Sequence, residues 1–226
     1  MISPNLFLDE LRKECAMHAN PDKAVQQQAY SKSALQFWGI SKPMLEKLSK
    51  PLIARAIPPT AAAYQEMIIF LTTNATHREE WYVMLLYARR YRIRQATHLE
   101  TYTTIIRMTQ WWDIVDDSAA NLVGYSLREV PERSCYLLNW ITDTNLWVRR
   151  TAILAQLKYK EATDKELLAT LVLTVAHEKQ FFMRKAIGWA LREYAKTDAA
   201  WVKEFVSAHK QKLSPLSVKE ALKHHR

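Results

Sequence analysis

Aromatic and acidic side chains crowd residues 111–117, which read WWDIVDD. Asp113 is interpreted as an N-cap, because Asp at a helix start accepts free amide hydrogens. At helical spacing Trp112 lies one turn before Asp116 on the same face, whereas Trp111 lies on the apolar face and is expected in the core. An ionised carboxylate beside an indole can stabilise positive charge, so Trp112 and Asp116 form a candidate functional pair. The structural alternative packs Trp112 under a loop and has Asp116 cap a neighbouring helix.

Arg150 stands against the apolar pattern of its own helix. Its neighbours at helical spacing are nearly all apolar: Leu146, Trp147, Ile153, Leu154 and Leu157. A buried guanidinium without a partner costs several kcal/mol, so Arg150 must snorkel or pair with a carboxylate, and Asp116 is the expected partner. A purely structural ion pair is the alternative. Arg149 shares a face with more polar residues and is expected to be solvated or to contact a phosphate.

A glycine and an indole interrupt the pattern of a third helix, within residues 181–194. Gly188 in mid-helix costs ~1 kcal/mol relative to alanine, which predicts that another group approaches the backbone closely there. Trp189 shares a face with Lys185 and Arg192, an arrangement suited to stacking on a sugar or base with basic flanks. Packing of Trp189 against an adjacent repeat is the alternative.

The turn at residues 37–43, FWGISKP, is predicted to open a helix at Ser41. Free amides at a helix start, with Lys42 beside them, form a phosphate-binding site. The same features also make an ordinary N-cap, so this signal by itself is weak.

Helix start signals recur along the chain and must position these side chains. A capping residue precedes proline at Ser3-Pro4, Asn20-Pro21 and Ser214-Pro215, and capping boxes are predicted at 76–79, 97–100 and 163–166. Another helix is predicted to start after Thr60. Three glycines and eight prolines are too few turn formers for a many-stranded sandwich or barrel. The sequence therefore predicts an all-α protein.

Weak internal similarity favours repeated helical units. The segments WVRR at 147–150 and FMRK at 182–185 both open amphipathic helices, about 35 residues apart, within the range of helical repeat periods. This predicts an α-solenoid with a concave basic face, formed by a single domain spanning residues 1–226. A compact all-α bundle with solvated charges is the alternative.

Charge and composition limit the classes of partner. Lys and Arg outnumber Asp and Glu by 32 to 23, a formal net charge of +9, which attracts polyanions such as nucleic acid or acidic membrane. The basic residues are distributed over many helices, which disfavours a membrane-surface role. Two cysteines without a CxxC motif indicate neither a disulfide framework nor a zinc site, and no apolar run approaches the length of a membrane span. A soluble, untargeted protein in a reducing compartment is expected.

Taken together these segments resemble the AlkD-like DNA alkylation repair family, DNA glycosylases built from HEAT-like helical repeats. The matching stretches are 37–43, 111–116, 146–160, 181–196 and 213–223. The resemblance places the family's catalytic carboxylate on Asp116, its sugar-facing indoles on Trp112 and Trp189, and its active-site arginine on Arg150. The faces of the helices favour Trp112 over Trp111 and Arg150 over Arg149. The residues expected to contact DNA are Ser41, Lys42, Arg149, Arg184, Lys185 and Arg192.

The resemblance implies a monofunctional glycosylase that hydrolyses the N-glycosidic bond of cationic alkylated purines, 7-methylguanine or 3-methyladenine, in duplex DNA. It also implies that the lesion stays within the duplex during the reaction. A monomer without metal or cofactor is expected, located in the cytoplasm with the bacterial nucleoid or in a eukaryotic nucleus. A catalytically inactive HEAT-like scaffold that binds DNA or a protein partner is the alternative.

Overall fold

The fold is built of helices, as the composition predicts. The computed structural model describes residues 2–92 and 96–223, and within these ranges the extended pairing is limited to an isolated bridge between Gln36 and His77. The predictions of an all-α class and of helical repeats are confirmed. Backbone contacts divide the chain into two compact units, Met1–Arg92 and Ile93–Arg226. The single domain and the concave basic face stay predictions.

The first unit contains five α-helices in its described residues: α1 Pro4–Met17, α2 Pro21–Ser31, α3 Lys42–Arg55, α4 Ala61–Thr73 and α5 Arg78–Tyr91. The predicted caps Ser3, Asn20 and Thr60 each accept an amide hydrogen in the first turn of their helix. The core between these helices is apolar and includes Phe7, Leu11, Tyr64, Met67, Met84 and Tyr87.

The second unit positions most of the candidate site. A 3₁₀ turn at Ala96–His98 precedes α6 Leu99–Thr109, α7 Trp112–Ser118, a π-helical segment Ala119–Val123 and α8 Gly124–Leu127. The later elements are α9 Arg133–Trp140, α10 Leu146–Leu154, a 3₁₀ turn Lys160–Ala162, α11 Lys165–Thr174, α12 Phe181–Tyr194, α13 Ala199–Ala208 and α14 Pro215–Ala221. Helix α10 packs against both α7 and α12, and α14 packs against α12.

The first predicted capping box is displaced by one residue. Helix α5 has His77, not Thr76, as its N-cap, and Glu80 takes the acidic position. The Oε2 atom of Glu80 accepts the amide hydrogens of Thr76 at 2.6 Å and of His77 at 3.4 Å. Glu79, the acidic residue of the predicted box, is not available for capping, because its carboxylate accepts hydrogen bonds from the amides of residues 38–40.

Within the described residues the other two predicted boxes are not formed, although the N-caps of their helices are displaced in the same direction. Asp164, not Thr163, caps α11 and accepts the amide hydrogen of Leu167 at 2.9 Å, in keeping with the greater capping strength of aspartate. Helix α6 begins after His98, because Thr97 lies inside a 3₁₀ turn. The helices exist where the boxes predict them, and their first residues lie one position later.

Candidate active site

A buried ion pair joins α7 to α10. Arg150 donates from Nε to Oδ1 of Asp116 at 2.7 Å and from Nη2 to Oδ2 at 2.8 Å. The side chains are 4% and 12% exposed respectively, so both charges are largely removed from water. The expected pairing of Arg150 with Asp116 is confirmed, and the carboxylate meets a guanidinium rather than capping a neighbouring helix.

Arg150 is also tied to α12. Its Nη1 donates to the backbone carbonyl of Phe182, and the guanidinium carbon lies 5.9 Å from the centre of the Phe182 ring. Each nitrogen of the guanidinium therefore donates a hydrogen bond. This satisfies the condition under which a charged group can be buried, namely that its partners replace water.

Two opposing effects set the ionisation of Asp116. Burial raises the pKa of its carboxyl, the hydrogen bonds and charge of Arg150 lower it, and the nearby charges of Asp113 and Asp117 raise it further. The net direction is upward from the ordinary value. Arg150 thus favours the ionised carboxylate, as expected, without fully offsetting its removal from water.

Trp111 and Trp112 are both half-buried, so the prediction that Trp111 lies in the core is not met. The ring of Trp111 lies 6.1 Å from that of Trp147 and 5.5 Å from that of Phe182, centre to centre, and the last two rings are 5.0 Å apart. These three rings form an aromatic cluster beside Arg150. Trp112 is a half-buried residue at the first position of α7, one turn before Asp116.

The interpretation of Asp113 as an N-cap is wrong. The N-cap of α7 is Trp111, and Asp113 lies inside the first turn, where its Oδ1 accepts the amide hydrogen of Ile114 at 2.9 Å. The N-cap therefore lies two residues earlier than the capping preference of aspartate suggested, at a residue whose ring is tilted against Trp147 and edge-on to Phe182.

The close approach predicted at Gly188 is confirmed. A Cβ atom placed on Gly188 would lie 2.4 Å from Cβ of Glu220 and 2.8 Å from the backbone oxygen of Ser217, both on α14. Trp189, the next residue, is half-buried, and within the described residues its indole makes no hydrogen bond or ring contact. The structure therefore brings Asp116 and Arg150 together. Within the described residues, no hydrogen bond or ring contact joins Trp189 to either of them.

Arg149 is not the solvated residue that its helical face suggested. It pairs with Glu178 through Nε at 2.7 Å and Nη2 at 2.9 Å, and its Nη1 donates to the backbone oxygens of Asp143 and Thr144. Its side chain is 15% exposed. A phosphate could contact Arg149 only by displacing these partners.

Two more of the expected DNA contacts share one carboxylate. Lys185 lies 2.9 Å from Oε1 of Glu220, and Arg192 donates to Oε2 of the same group. Lys185, with a smaller contribution from Arg192, lowers the pKa of Glu220 to about 2. Arg184 differs, because its Nε is buried without a hydrogen-bond partner among the described residues. Sequence reasoning missed both Glu178 and Glu220.

The turn before α3 is also occupied by a carboxylate. Ser41 is the N-cap of α3, as predicted, although its side chain makes no capping hydrogen bond. The amides of residues 38–40 donate to Oε1 of Glu79 at 3.0, 3.0 and 3.3 Å, so these amides are not free for a phosphate. Ser41 and Lys42 are exposed, and the Lys42 ammonium lies 5.6 Å from the centre of the Tyr82 ring.

Two further observations bear on partners. None of the helices within residues 2–92 and 96–223 has the length and apolar character needed to cross a membrane. The same described residues contain no group of three or more His, Cys, Asp or Glu side chains arranged to hold a metal ion.

The fold and the site define a class: an all-α protein of helical repeats that buries a carboxylate–guanidinium pair beside an aromatic cluster. A family profile described as "DNA alkylation repair enzyme" matches residues 11–225, and the chain belongs to this family. A solved structure described as a predicted DNA alkylation repair enzyme from Enterococcus faecalis is 29% identical, with a TM-score of 0.82. The similarity covers 92% of this chain and 96% of that one. The curated proteins contain no match. The family places the chain in the repair of alkylated DNA, with DNA as its substrate.

Proposed function

We propose that the protein is a monofunctional DNA glycosylase that hydrolyses the N-glycosidic bond of cationic alkylated purines, such as 7-methylguanine and 3-methyladenine, in duplex DNA. The observation that carries the proposal is the buried Asp116–Arg150 pair, with the half-buried Trp112 one turn before Asp116. A carboxylate held in this way is suited to stabilising positive charge at a site from which water is excluded.

The chemistry requires little beyond such a carboxylate. A purine alkylated at N3 or N7 already carries positive charge, so it departs with the electron pair of the glycosidic bond and needs no general acid. Positive charge then develops on the deoxyribose as an oxocarbenium ion, which Asp116 stabilises electrostatically. The oxygen of a water held by Asp116 adds to the sugar carbon, and its proton passes to the carboxylate and then to solvent.

The remaining site residues support this step. Arg150 positions Asp116 by donating to both of its oxygens, and the same hydrogen bonds lower the pKa of the carboxyl. Trp112 and Trp189 contact the sugar, where the electron-rich faces of their indoles attract the developing cation. Neither role calls for a metal or a redox cofactor.

The proposed backbone contacts fall into two groups. Ser41, Lys42 and Arg184 are proposed to contact phosphates directly. Arg149, Lys185 and Arg192 are proposed contacts that each carry a carboxylate partner before DNA binds, Glu178 for the first and Glu220 for the other two. Phosphates must displace these carboxylates, which lowers the affinity gained from each cation.

The experiment is release of free base from methylated duplex DNA in the presence of EDTA, followed by chromatography. Asp116→Asn is expected to abolish release while duplex binding is retained. Asp117→Asn is the matched control, because it changes the adjacent carboxylate, whose Oδ1 accepts from Asn121 rather than from Arg150. No release by the wild type, with duplex binding intact, would refute the glycosylase and favour an inactive DNA-binding scaffold. Equal release by wild type and Asp116→Asn would refute the role of Asp116.

A further inference from the structure

Helix α14 carries a carboxylate onto the face of α12 that holds Trp189. Gly188 makes this possible, because any side chain there would collide with Glu220 and with the backbone of Ser217. A mid-helix glycine lowers helix stability by ~1 kcal/mol relative to alanine. This cost occurs where α14 packs closely against the backbone of α12.

Glu220 uses both of its oxygens on two different cations. Oε1 lies 2.9 Å from Nζ of Lys185, while Oε2 accepts from Nη1 of Arg192, which also donates to the backbone oxygen of Glu220 at 3.2 Å. Helical spacing places Lys185 and Arg192 on the same face as Trp189, one turn before and one turn after it. Glu220 therefore neutralises the basic flanks of that indole.

Glu220, Lys185 and Arg192 are charged and partly exposed to solvent. Lys185 lowers the pKa of Glu220 to about 2, so the carboxylate stays charged at neutral pH. The side chains of Lys185 and Arg192 are 36% and 20% exposed, against 13% for Glu220. A phosphate can thus approach the two cations from solvent, and it must compete with the carboxylate already bound to them.

We propose that Glu220 competes with DNA phosphate for Lys185 and Arg192 and so limits how tightly the protein holds undamaged duplex DNA. This inference rests on the proposed function, in that it takes duplex DNA as the ligand of the Trp189 face. Glu220 is then a specificity-determining residue, because it weakens the backbone attraction that is common to every DNA sequence while leaving the indole in place.

Helix α14 has contacts with α12 besides these ion pairs. The hydroxyl of Ser217 donates to the backbone oxygen of Arg184 at 2.9 Å, and Ser217 and Ala221 are buried. Glutamine at position 220 has nearly the shape of glutamate, but it has no charge and it replaces one acceptor oxygen with an NH2 donor. Glu220→Gln is therefore expected to keep α14 on α12.

The experiment measures the affinity of each variant for undamaged duplex DNA over a series of salt concentrations. Glu220→Gln is expected to bind roughly 3- to 10-fold more tightly than wild type at low salt, with a salt slope steeper by about one to two phosphate contacts. Glu193→Gln is the matched control. It changes the net charge equally and lies on α12, but among the described residues the ion-pair partner of Glu193 is the exposed Lys196 rather than Lys185 or Arg192. Its affinity is expected to change less than about twofold.

A double-mutant cycle separates competition from a general effect of charge. Lys185→Gln should weaken binding more in the Glu220→Gln background than in wild type, where the cation is already paired. The proposal is overturned if Glu220→Gln binds no more tightly than Glu193→Gln, or if Lys185→Gln costs the same in both backgrounds.

Thermal unfolding of Glu220→Gln checks its fold. If that variant fails to fold, Lys185→Gln and Arg192→Gln in the otherwise native chain provide the test, since each should then lose less than about twofold in affinity. A larger loss would overturn the proposal. Base release is not needed for any of these measurements, so a failure of the glycosylase activity and a failure of this inference are observed separately.

Discussion

Replacing Arg150 with glutamine is expected to destabilise the protein strongly. It is also expected to move the acidic limb of the pH profile of base release, where Asp116 becomes protonated, to higher pH. The change removes two hydrogen bonds to the carboxylate of Asp116 and one to the backbone oxygen of Phe182. It leaves Asp116, whose side chain is only 12% exposed, as a buried charge without its cation.

The size of the effect follows from this burial. Removing one partner of a buried ion pair costs about 3–5 kcal/mol, most of it the cost of the charge left behind. For a domain of this length, 1 kcal/mol corresponds to a shift of roughly 2–4 °C in Tm, so Arg150→Gln should lower Tm by about 6–20 °C. The double variant Arg150→Gln/Asp116→Asn should recover part of this loss, because it has no charge to bury.

The pH dependence has a definite sign. Burial already raises the pKa of Asp116 above its ordinary value, and loss of Arg150 removes the group that lowers it. A carboxyl whose pKa is higher in the folded state stabilises the fold at low pH, and this contribution is lost as the pH rises through the folded-state pKa. The stability of Arg150→Gln should therefore fall from acidic to neutral pH more steeply than that of wild type.

The assay combines thermal unfolding with base release, each over a range of pH. Arg149→Gln is the matched control, since it breaks the neighbouring Arg149–Glu178 pair and leaves Asp116 untouched. It is expected to lower Tm without moving the acidic limb of activity. A Tm of Arg150→Gln within about 2 °C of wild type, or an acidic limb that does not move, would refute the reasoning.

Substitutions at Glu79 and Gly39 and a change of substrate give three further tests. Glu79→Ala leaves three amides without an acceptor and should cost roughly 3 kcal/mol or more in urea unfolding, whereas Glu79→Gln keeps an acceptor oxygen and should cost less. Gly39→Ala should destabilise by more than about 1 kcal/mol, because φ is +80° and the new Cβ would lie 2.1 Å from the backbone oxygen of Asn20; a neutral result would contradict this. In the base-release assay, purines with larger adducts should still be excised, since the proposed site does not enclose the base; loss of activity with adduct size would count against it.

Local sequence rules were sufficient to predict a contact where a residue did not fit the pattern of its own helix. Arg150 in an apolar helix required a carboxylate, and the structure supplies Asp116. Gly188 in mid-helix required a close neighbour, and the structure supplies α14. In both cases a single residue type carries a large local cost, so the compensating contact could be inferred from the sequence before its geometry was known.

The same rules could not predict which of two adjacent acidic residues caps a helix. Glu79 and Glu80 both fit the start of α5, and helical preference does not distinguish them. Tertiary contacts decide the matter, because Glu79 lies 1% exposed against the amides of residues 38–40, while Glu80 takes the capping position and pairs with Arg12 at 2.7 Å. The amides that bind Glu79 lie about 40 residues before it, and Arg12 lies 68 residues before Glu80, so these tertiary partners are beyond any local pattern.

The carboxylates that pair with the expected DNA contacts follow a spacing that the sequence does contain. Arg149 and Glu178 are 29 positions apart, Arg192 and Glu220 are 28 apart, and Asp116 and Arg150 are 34 apart. These separations are close to the interval of about 35 residues between the two similar segments. In stacked repeats, a residue at a given helix face meets its counterpart in the neighbouring repeat, so a basic residue should be compared with acids about one repeat away before it is assigned to phosphate. Spacing alone does not decide the matter, because Glu79 and Glu220 stand 37 and 36 positions after Lys42 and Arg184. Neither cation pairs with its acid among the described residues, since Glu79 binds the amides of residues 38–40 and Glu220 binds Lys185 and Arg192.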